Sequence, residues 1–359
     1  MRRRLTFLLL VAAPIAGWGW GEREQGLWRL LQPPRFRTLQ GTLQVSVFSE
    51  RMGDRVWTIN LWADERNSRT QLMLPHPEGA RQIITITTPE GMWVFLPFAK
   101  RAIRQVGMHF PSWRDLWGFR SDKLDLAQRN YDLRFVGQEK VADLPCLVVE
   151  LVPKFKENPK RRLWIHPPTR LPLRMERYDP DGALRVRIAF TEVQIDCPLP
   201  LLIFDTTLPQ DWQLMEVSAQ RQPINVADAM RVLGFPLLLP TWVPPGYVLD
   251  GVFALQDRQW KVAHIVYTDG ISVISLFEHP VPKERPRERR PFRPEREGQH
   301  SQLGREAPRM GPPPMVRMFP QQWVRRDIGG LRVVLVGETS REWLERIVES
   351  LASQIASDR

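Results

Sequence analysis

The sequence predicts an α+β protein in which a curled antiparallel β-sheet (a half-barrel) with covering helices is followed by a smaller α+β domain. Three observations predict this fold class. Up to about residue 195, apolar and polar residues alternate over many short segments, as in strands that bury one face. Turn sequences such as Pro89-Glu90-Gly91 separate these segments. The chain closes with an amphipathic helical pattern that suits a covering helix.

The first 17 residues have the pattern of a signal peptide. Arg2, Arg3 and Arg4 precede an apolar run over 5–16, which is too short to span a bilayer comfortably. Gly17 is the predicted cleavage point. Because no A-x-A motif stands there, an uncleaved membrane anchor is the alternative. We therefore expect an exported, periplasmic protein.

A first domain is predicted over residues 27–204. Residues 27–31 form a short helical turn that Pro33 and Pro34 end, and two helical stretches, 113–117 and 124–129, interrupt the strands. A sheet of roughly ten strands must curl because twist accumulates from strand to strand. The predicted strands are 43–47, 57–61, 71–74, 82–88, 92–95, 131–136, 146–152, 162–166, 171–178 and 184–195.

A second domain is predicted over residues 225–356, after a polar, strand-poor linker at 205–224. Asn225 caps a short helix that Gly234 ends, and the prolines of 235–245 impose an extended course. Strands follow at 247–255, 262–268, 271–277 and 331–336. Thr339 and Glu342 have capping-box spacing ahead of the last helix. The apolar face of that helix comprises Leu344, Ile347, Val348, Leu351 and Ile355.

The net charge of +11 is distributed unevenly. Three of the excess positive charges belong to the signal peptide, and residues 283–309 hold nine basic and five acidic residues. The Pro/Arg-rich insertion at 282–314 is predicted to be disordered, either as a solvated loop or as an arm for anionic surfaces. Because no aromatic-plus-basic nucleic-acid module is present, we expect no nucleic-acid partner. Contact with an anionic membrane surface or an acidic peptide is the better use of the excess charge, the alternative being a solvated surface.

The residues that carry chemistry do not form a catalytic or metal-binding pattern. None of the six histidines pairs at metal-ligand spacing, and the sequence has no nucleophile elbow, P-loop or dinucleotide fingerprint. We therefore expect no enzyme activity, no metal and no cofactor. In an oxidising compartment Cys146 and Cys197 could form a disulfide, the alternative being two buried thiols.

The side chains that could bind a ligand are apolar. Tryptophan is abundant in the first domain, and aromatic residues on a concave sheet face would make a pocket for acyl chains, each buried methylene contributing about 0.8 kcal/mol. The alternative is an ordinary core beneath the helices. The predicted pocket residues are Trp57, Ile59, Leu61, Leu72, Leu74, Ile84, Ile86, Trp93 and Phe95.

Several segments resemble the MucB/RseB family of periplasmic regulators of envelope-stress sigma factors. In the first domain they are TPEGMWVFLP, NYDLRFVGQEKVADLPCLVVELVPK, RRLWIHPPTRLPLRMERYDPDGAL and AFTEVQIDCPLPLLIFDTTLP, which together look like a LolA-type lipoprotein-carrier fold over 36–212. In the second domain they are LPTWVPPGY, AHIVYTDGISVISLFEHP and LRVVLVGETSREWLERIVESLAS. The insertion at 282–314 is longer than the family's usual loop.

The resemblance implies a non-enzymatic regulator. Such a protein binds the periplasmic region of a membrane anti-sigma factor, and lipid or misfolded envelope protein modulates that complex. The alternatives are a periplasmic LolA-like carrier of lipoproteins or lipids, and a surface adaptor held by an uncleaved anchor. No partner-contact residue transfers from the family to this sequence.

Overall fold

The computed structural model describes residues 26–49, 53–74, 81–106, 113–117, 121–218, 223–256, 261–281 and 322–357. The predicted signal peptide and the insertion at 282–314 lie outside these ranges. Contacts divide the chain into two compact units. The first comprises residues up to 82 together with 112–205, and the second comprises 83–111 together with 206–359. Residues 83–111 thus group with the second unit, whereas the sequence placed them in the first domain. The predicted domain limits stay a prediction.

The first unit contains eight strands in the order β3-β2-β1-β11-β10-β9-β8-β7, with antiparallel pairing throughout. Burial alternates along most of them because one face of the sheet is covered and the other is not. The strands are β1 Thr38–Val47, β2 Arg55–Asp64, β3 Ser68–Leu74, β7 Tyr131–Val141, β8 Leu144–Pro153, β9 Lys160–His166, β10 Leu171–Tyr178 and β11 Leu184–Ile195.

Short helical segments supply the cover of the first unit. Their buried side chains include Leu31, Trp113, Trp117 and Ala127. The predicted helices are confirmed in position, although the tryptophan-containing one is a 3-10 helix. These segments are the 3-10 helices Arg29–Leu31, Trp113–Trp117 and Ser121–Lys123 and the α-helix α1 Leu124–Asn130.

The second unit begins with strands in the order β12-β6-β5-β4. The tight turn predicted at Pro89-Glu90-Gly91 is confirmed, because Thr88 pairs with Gly91. The segment 205–224, predicted to be a strand-poor linker, contains strand β12, which pairs in parallel with β6. The sequence pattern predicted neither β12 nor β6. The elements are β4 Arg81–Thr88, β5 Gly91–Leu96, the 3-10 helix Pro97–Ala99, β6 Arg101–Val106 and β12 Gln213–Ser218.

A second, five-stranded sheet of order β13-β14-β15-β17-β16 completes the unit. Its core side chains pack with those of two helices, α2 and α3. The predicted cap at Asn225 is confirmed, as its side chain accepts the Asp228 N–H at 2.8 Å, and Gly234 ends α2 with a φ of 74°. These elements are α2 Val226–Leu233, β13 Val248–Gln256, β14 Lys261–Thr268, β15 Val273–Pro280, β16 Gln322–Ile328, β17 Leu331–Gly337 and α3 Arg341–Ser357.

Two predictions for this sheet need correction. The strand β16 was not predicted, and its burial shows why: only Val324 and Ile328 of its seven residues are buried. The cap of α3 is Ser340, whose hydroxyl accepts the Trp343 N–H at 3.3 Å, one residue after the predicted Thr339. The predicted apolar face of α3 is confirmed for its first four members, while the side chain of Ile355 lies outside the described residues.

The predicted fold class is confirmed: antiparallel strands dominate both units and the described helices are few. None of the described helices is long and apolar enough to cross a bilayer.

Candidate functional site

Five of the nine predicted pocket residues share one face of the first unit's sheet. Ile59 lies opposite both Leu43 on β1 and Leu72 on β3, so these three side chains form a row across the sheet. Trp57 and Leu61 flank Ile59 at a spacing of two, and so point the same way. Leu74 likewise shares a face with Leu72. The alternation on which the prediction rested therefore holds for this group.

Three of these five side chains are as buried as core residues. Ile59 and Leu61 are 0% exposed and Leu72 is 3% exposed, whereas Trp57 and Leu74 are half-buried. Close packing of this kind suits a protein interior, and an acyl chain would enter only if the covering segments moved. The assignment of these residues to a ligand pocket stays a prediction.

Two tryptophans outside the predicted set contribute to the cover of the first unit. The Trp117 ring lies 5.8 Å from that of Phe190 on β11, and the Trp113 ring lies 5.9 Å from that of Phe36. Both are almost fully buried, yet neither indole N–H has an acceptor among the described residues. A buried donor without a partner costs about 1–3 kcal/mol, so these two N–H groups are candidate contacts for a ligand oxygen. The helical spacing of Trp113 and Trp117 was the sequence signal for them.

The other four predicted residues lie in the second unit. Ile84 pairs with Phe95 and Ile86 with Trp93, so they form a separate apolar group on β4 and β5. The structure adds two members to it. Trp212 meets the Phe95 ring edge-on at 6.1 Å, and the Arg104 guanidinium lies 5.2 Å from the Trp93 ring centre.

The Arg104 guanidinium also binds Glu216 on β12 at 3.0 Å. In the group on β4 and β5, Ile86 and Phe95 are buried, Ile84 and Trp93 are half-buried, and charged side chains border the Trp93 ring. Cation–π contacts of this kind contribute about 0.5–1 kcal/mol at exposed sites.

The segment LPTWVPPGY (239–247) packs against the core of the second unit. The Trp242 ring meets Trp343 of α3 edge-on at 6.2 Å and is covered by the Arg346 guanidinium at 4.1 Å. Upstream of it, the Leu238 N–H donates to the buried carboxylate of Glu278 on β15 at 3.0 Å. Burial raises the pKa of Glu278 to about 7. The segment is thus attached to the sheet just before its first residue and to α3 through Trp242.

A histidine lies between two aromatic rings on the opposite face of this sheet. The His264 ring stacks on Phe277 at 4.4 Å and lies 5.9 Å from Phe253, while its Nε2 is 3.0 Å from the Ser275 hydroxyl. Burial lowers the pKa of His264 to about 4. The ring is therefore neutral at ordinary pH and serves packing.

The two cysteines are free thiols in the structure. Cys146 is buried, and burial raises its pKa to about 12. Cys197 is partly exposed at the end of β11, where its Sγ is 3.7 Å from the Gln194 carbonyl oxygen. A thiol so far from ionisation is a poor nucleophile, so Cys146 acts as a small apolar side chain.

An open depression on the other face of the first unit's sheet is mostly polar. It is bounded by Gln40, Thr42, Asn60 and Gln194, whose side chains bond to one another in two pairs. Among the described residues, no three His, Cys, Asp or Glu side chains converge as metal ligands would.

Comparisons with known proteins agree on one family. A family model described as the MucB/RseB N-terminal domain matches residues 110–212. The sigma factor AlgU regulatory protein MucB of Pseudomonas aeruginosa is 25% identical over 233 residues, 64% of this chain. That match spans 63% of the relative's own length.

Solved structures show the same fold over nearly the whole chain. The crystal structure of MucB is 21% identical, covers 92% of this chain and 98% of its own, and superposes with a TM-score of 0.53. A chain of the Pseudomonas aeruginosa MucA/MucB complex structure is 19% identical, and the match covers 90% of this chain and 94% of that one, with a TM-score of 0.51.

Proposed function

We propose that the chain is a member of the MucB/RseB family that regulates an envelope-stress sigma factor by binding the periplasmic region of a membrane anti-sigma factor. The observation that carries the proposal is the combined match to the family model and to a sigma factor regulatory protein. The fold shared with MucB, including MucB in complex with MucA, supports it. The protein would act in the periplasm, by binding and without catalysis.

The test is capture of the partner. The mature chain from residue 18, immobilised, is exposed to a detergent extract of its own envelope, and the bound proteins are identified by mass spectrometry. We expect a single-span membrane protein whose isolated periplasmic region then binds in calorimetry with one-to-one stoichiometry. Failure of that region to bind at tens of micromolar would contradict the proposal.

We further propose that the interior of the first unit accepts an acyl chain. The support is the apolar row that includes Ile59 and Leu72, together with the buried indole N–H groups of Trp113 and Trp117. An ester or amide carbonyl of a lipid would give those donors the acceptor that the described residues do not provide. A regulator and a lipid carrier could both use such a binding site.

Native mass spectrometry of protein purified from its own envelope tests the cavity. A co-purifying lipid is expected, and the double variant Trp113→Phe/Trp117→Phe should retain several-fold less of it while keeping the apolar rings. Trp242→Phe is the matched control, because its ring packs against α3. A lipid-free mass with no uptake on titration would leave protein binding as the activity. Lipid handover between vesicles in the absence of any anti-sigma factor would favour the carrier alternative.

A further inference from the structure

The turn that follows β11 exposes the most apolar tip in the described part of the chain. Residues 198–204 read PLPLLIF, and Leu201 and Leu202 are 96% and 80% exposed. No other large apolar side chain in the described ranges exceeds 60%. Single exposed leucines are common, whereas two adjacent, almost fully exposed leucines flanked by apolar residues usually mark a contact surface.

The backbone holds the two leucines outward. The Ile203 N–H donates to the Pro200 carbonyl at 3.3 Å, and the Asp205 N–H donates to the Leu202 carbonyl at 2.9 Å. Leu202 has a φ of 59°, in the left-handed region that side-chain-bearing residues avoid. Leu202 therefore adopts a costly backbone conformation while its side chain stays 80% exposed.

The base of the turn is fastened to the start of β1. The Thr38 hydroxyl donates to the Cys197 carbonyl at 2.5 Å, and the Asp196 side chain accepts the Arg37 N–H at 2.6 Å. The Arg69 guanidinium donates to the Ile203 carbonyl at 3.4 Å. These hydrogen bonds fix the base of the turn, so the turn would lose little conformational entropy on binding.

Basic side chains lie at the same end of the sheet. Arg37 precedes β1, and Arg66 lies in the turn between β2 and β3, which reaches the same end because Thr38 pairs with Asp64. Both are exposed. The Asp64 carboxylate accepts the backbone N–H groups of Arg66 and Asn67, the Asp196 carboxylate accepts the backbone N–H of Arg37, and Glu65 adds an exposed carboxylate. The guanidinium group of Arg69 also lies at this end, as do Arg35 and Arg170, because the Arg35 N–H donates to the Thr169 carbonyl. Exposed guanidinium groups beside an apolar tip suit a phosphate-rich surface with an apolar layer beneath it.

We propose that the turn 198–204 inserts Leu201 and Leu202 into the interface of an anionic phospholipid bilayer, with Arg37 and Arg66 contacting headgroups. The small apolar area of the two leucines suits a lipid surface better than a protein partner. Two leucines offer on the order of 300 Å², well below the roughly 800 Å² per partner of a stable protein interface, whereas membrane contacts add up from small increments. This site goes beyond the proposed function and does not require binding of the anti-sigma factor.

Vesicle flotation tests the site in the absence of any protein partner. The mature chain is mixed with vesicles of phosphatidylcholine containing one third phosphatidylglycerol. We expect Leu201→Ser/Leu202→Asn to lower the partition coefficient about tenfold or more, since two leucine insertions are lost. Asparagine is chosen at 202 because it tolerates a positive φ. Leu214→Ser/Met215→Gln removes two apolar side chains of 44% and 41% exposure from β12 and should float like the wild type.

An environment-sensitive label locates the tip. A nitrobenzoxadiazole group on Leu201→Cys, in a Cys197→Ser background, should shift to the blue when the vesicles are added. Equal flotation of the leucine double variant and the wild type, or a label that does not shift in bound protein, would overturn the proposal. A change of oligomeric state in the leucine variant with unchanged flotation would also overturn it and assign the turn to contact between copies. None of these outcomes bears on capture of the anti-sigma factor, so the two proposals fail separately.

Discussion

At the scale of single residues, Glu278 and His264 of the second unit act in opposite directions on stability. The pKa of Glu278 is raised from 4.5 to about 7, so the folded state holds a proton that the unfolded state releases. Stability from this group is complete below pH 4.5 and is lost as pH rises through about 7. The pKa of His264 is lowered to about 4, so its contribution is present above pH 6.5 and is lost as pH falls. Between pH 4.5 and 6.5 the two effects offset each other.

The variant Glu278→Gln is expected to remove the pH effect of Glu278 and leave that of His264. The amide oxygen can still accept the Leu238 N–H, but no buried carboxylate has to ionise. At pH 8 the variant should be more stable than the wild type by up to about 3 kcal/mol, the free energy equivalent of a shift of this size. Urea unfolding at pH 5, 6.5 and 8 is the measurement. A variant whose stability is lower than that of the wild type at pH 8 would contradict the burial argument.

The cysteines should differ sharply in reactivity. At pH 8, Cys197 is expected to react with iodoacetamide within minutes, whereas Cys146, buried and with a pKa of about 12, should react only in denaturant. Mass spectrometry of the alkylated native protein reads out both sites. The predicted disulfide would instead be shown if protein isolated from the periplasm were alkylated at neither thiol and its mass were lower by two hydrogens.

At the scale of elements, Gly41 allows the backbones of β1 and β11 to approach closely. A Cβ at Gly41 would lie 2.5 Å from the Glu192 carbonyl oxygen and 2.9 Å from the Phe190 ring. The register between these strands shifts just beyond it, at Thr42/Leu43. Glycine in a strand interior often marks such a close backbone approach.

Gly41→Ala should therefore cost about 1–3 kcal/mol, the range for overpacking, with more if the backbone cannot shift. Gly137→Ala is the matched control, because Gly137 also lies in a strand beside a register shift but a Cβ there meets nothing within 4 Å. Thermal unfolding followed by circular dichroism compares the two. Equal loss of stability in both variants would contradict the steric explanation.

The strands that the sequence pattern missed share a physical cause. β12 and β16 are edge strands, and the described side chains of β12 are all exposed, while β16 buries two of seven. β6 buries only Ala102. A strand without a continuous apolar face carries no period of two, so its pairing is decided by its neighbours.

At the scale of the whole molecule, the second sheet and its two helices form a self-contained core. The core side chains Leu233, Ile265, Leu335 and Leu351 come from four different elements, and the whole cluster lies within residues 224–352. Such a unit buries its apolar face without residues from elsewhere, which is the condition for independent folding.

The fragment 223–357 is accordingly expected to fold alone. It should unfold cooperatively in urea, with a slope appropriate to a domain of this size. The same fragment carrying Leu335→Ala should lose about 2–5 kcal/mol. A fragment that unfolds without a cooperative transition would show that residues 83–111 and β12, which share the second unit, are needed for its stability.

The sequence by itself determined the elements whose side chains obey a period. Alternation in β1, β2 and β11, the Asn225 cap and the α3 face were all readable because local geometry fixes where each side chain points. Only the tertiary structure decided what depends on distant neighbours. It grouped 83–111 with the second unit, divided the nine predicted pocket residues between two units, and exposed Leu201 and Leu202 in a turn whose composition resembles a core segment. Composition sets how apolar a residue is, but burial depends on which other segments reach it, and that is a property of the whole fold.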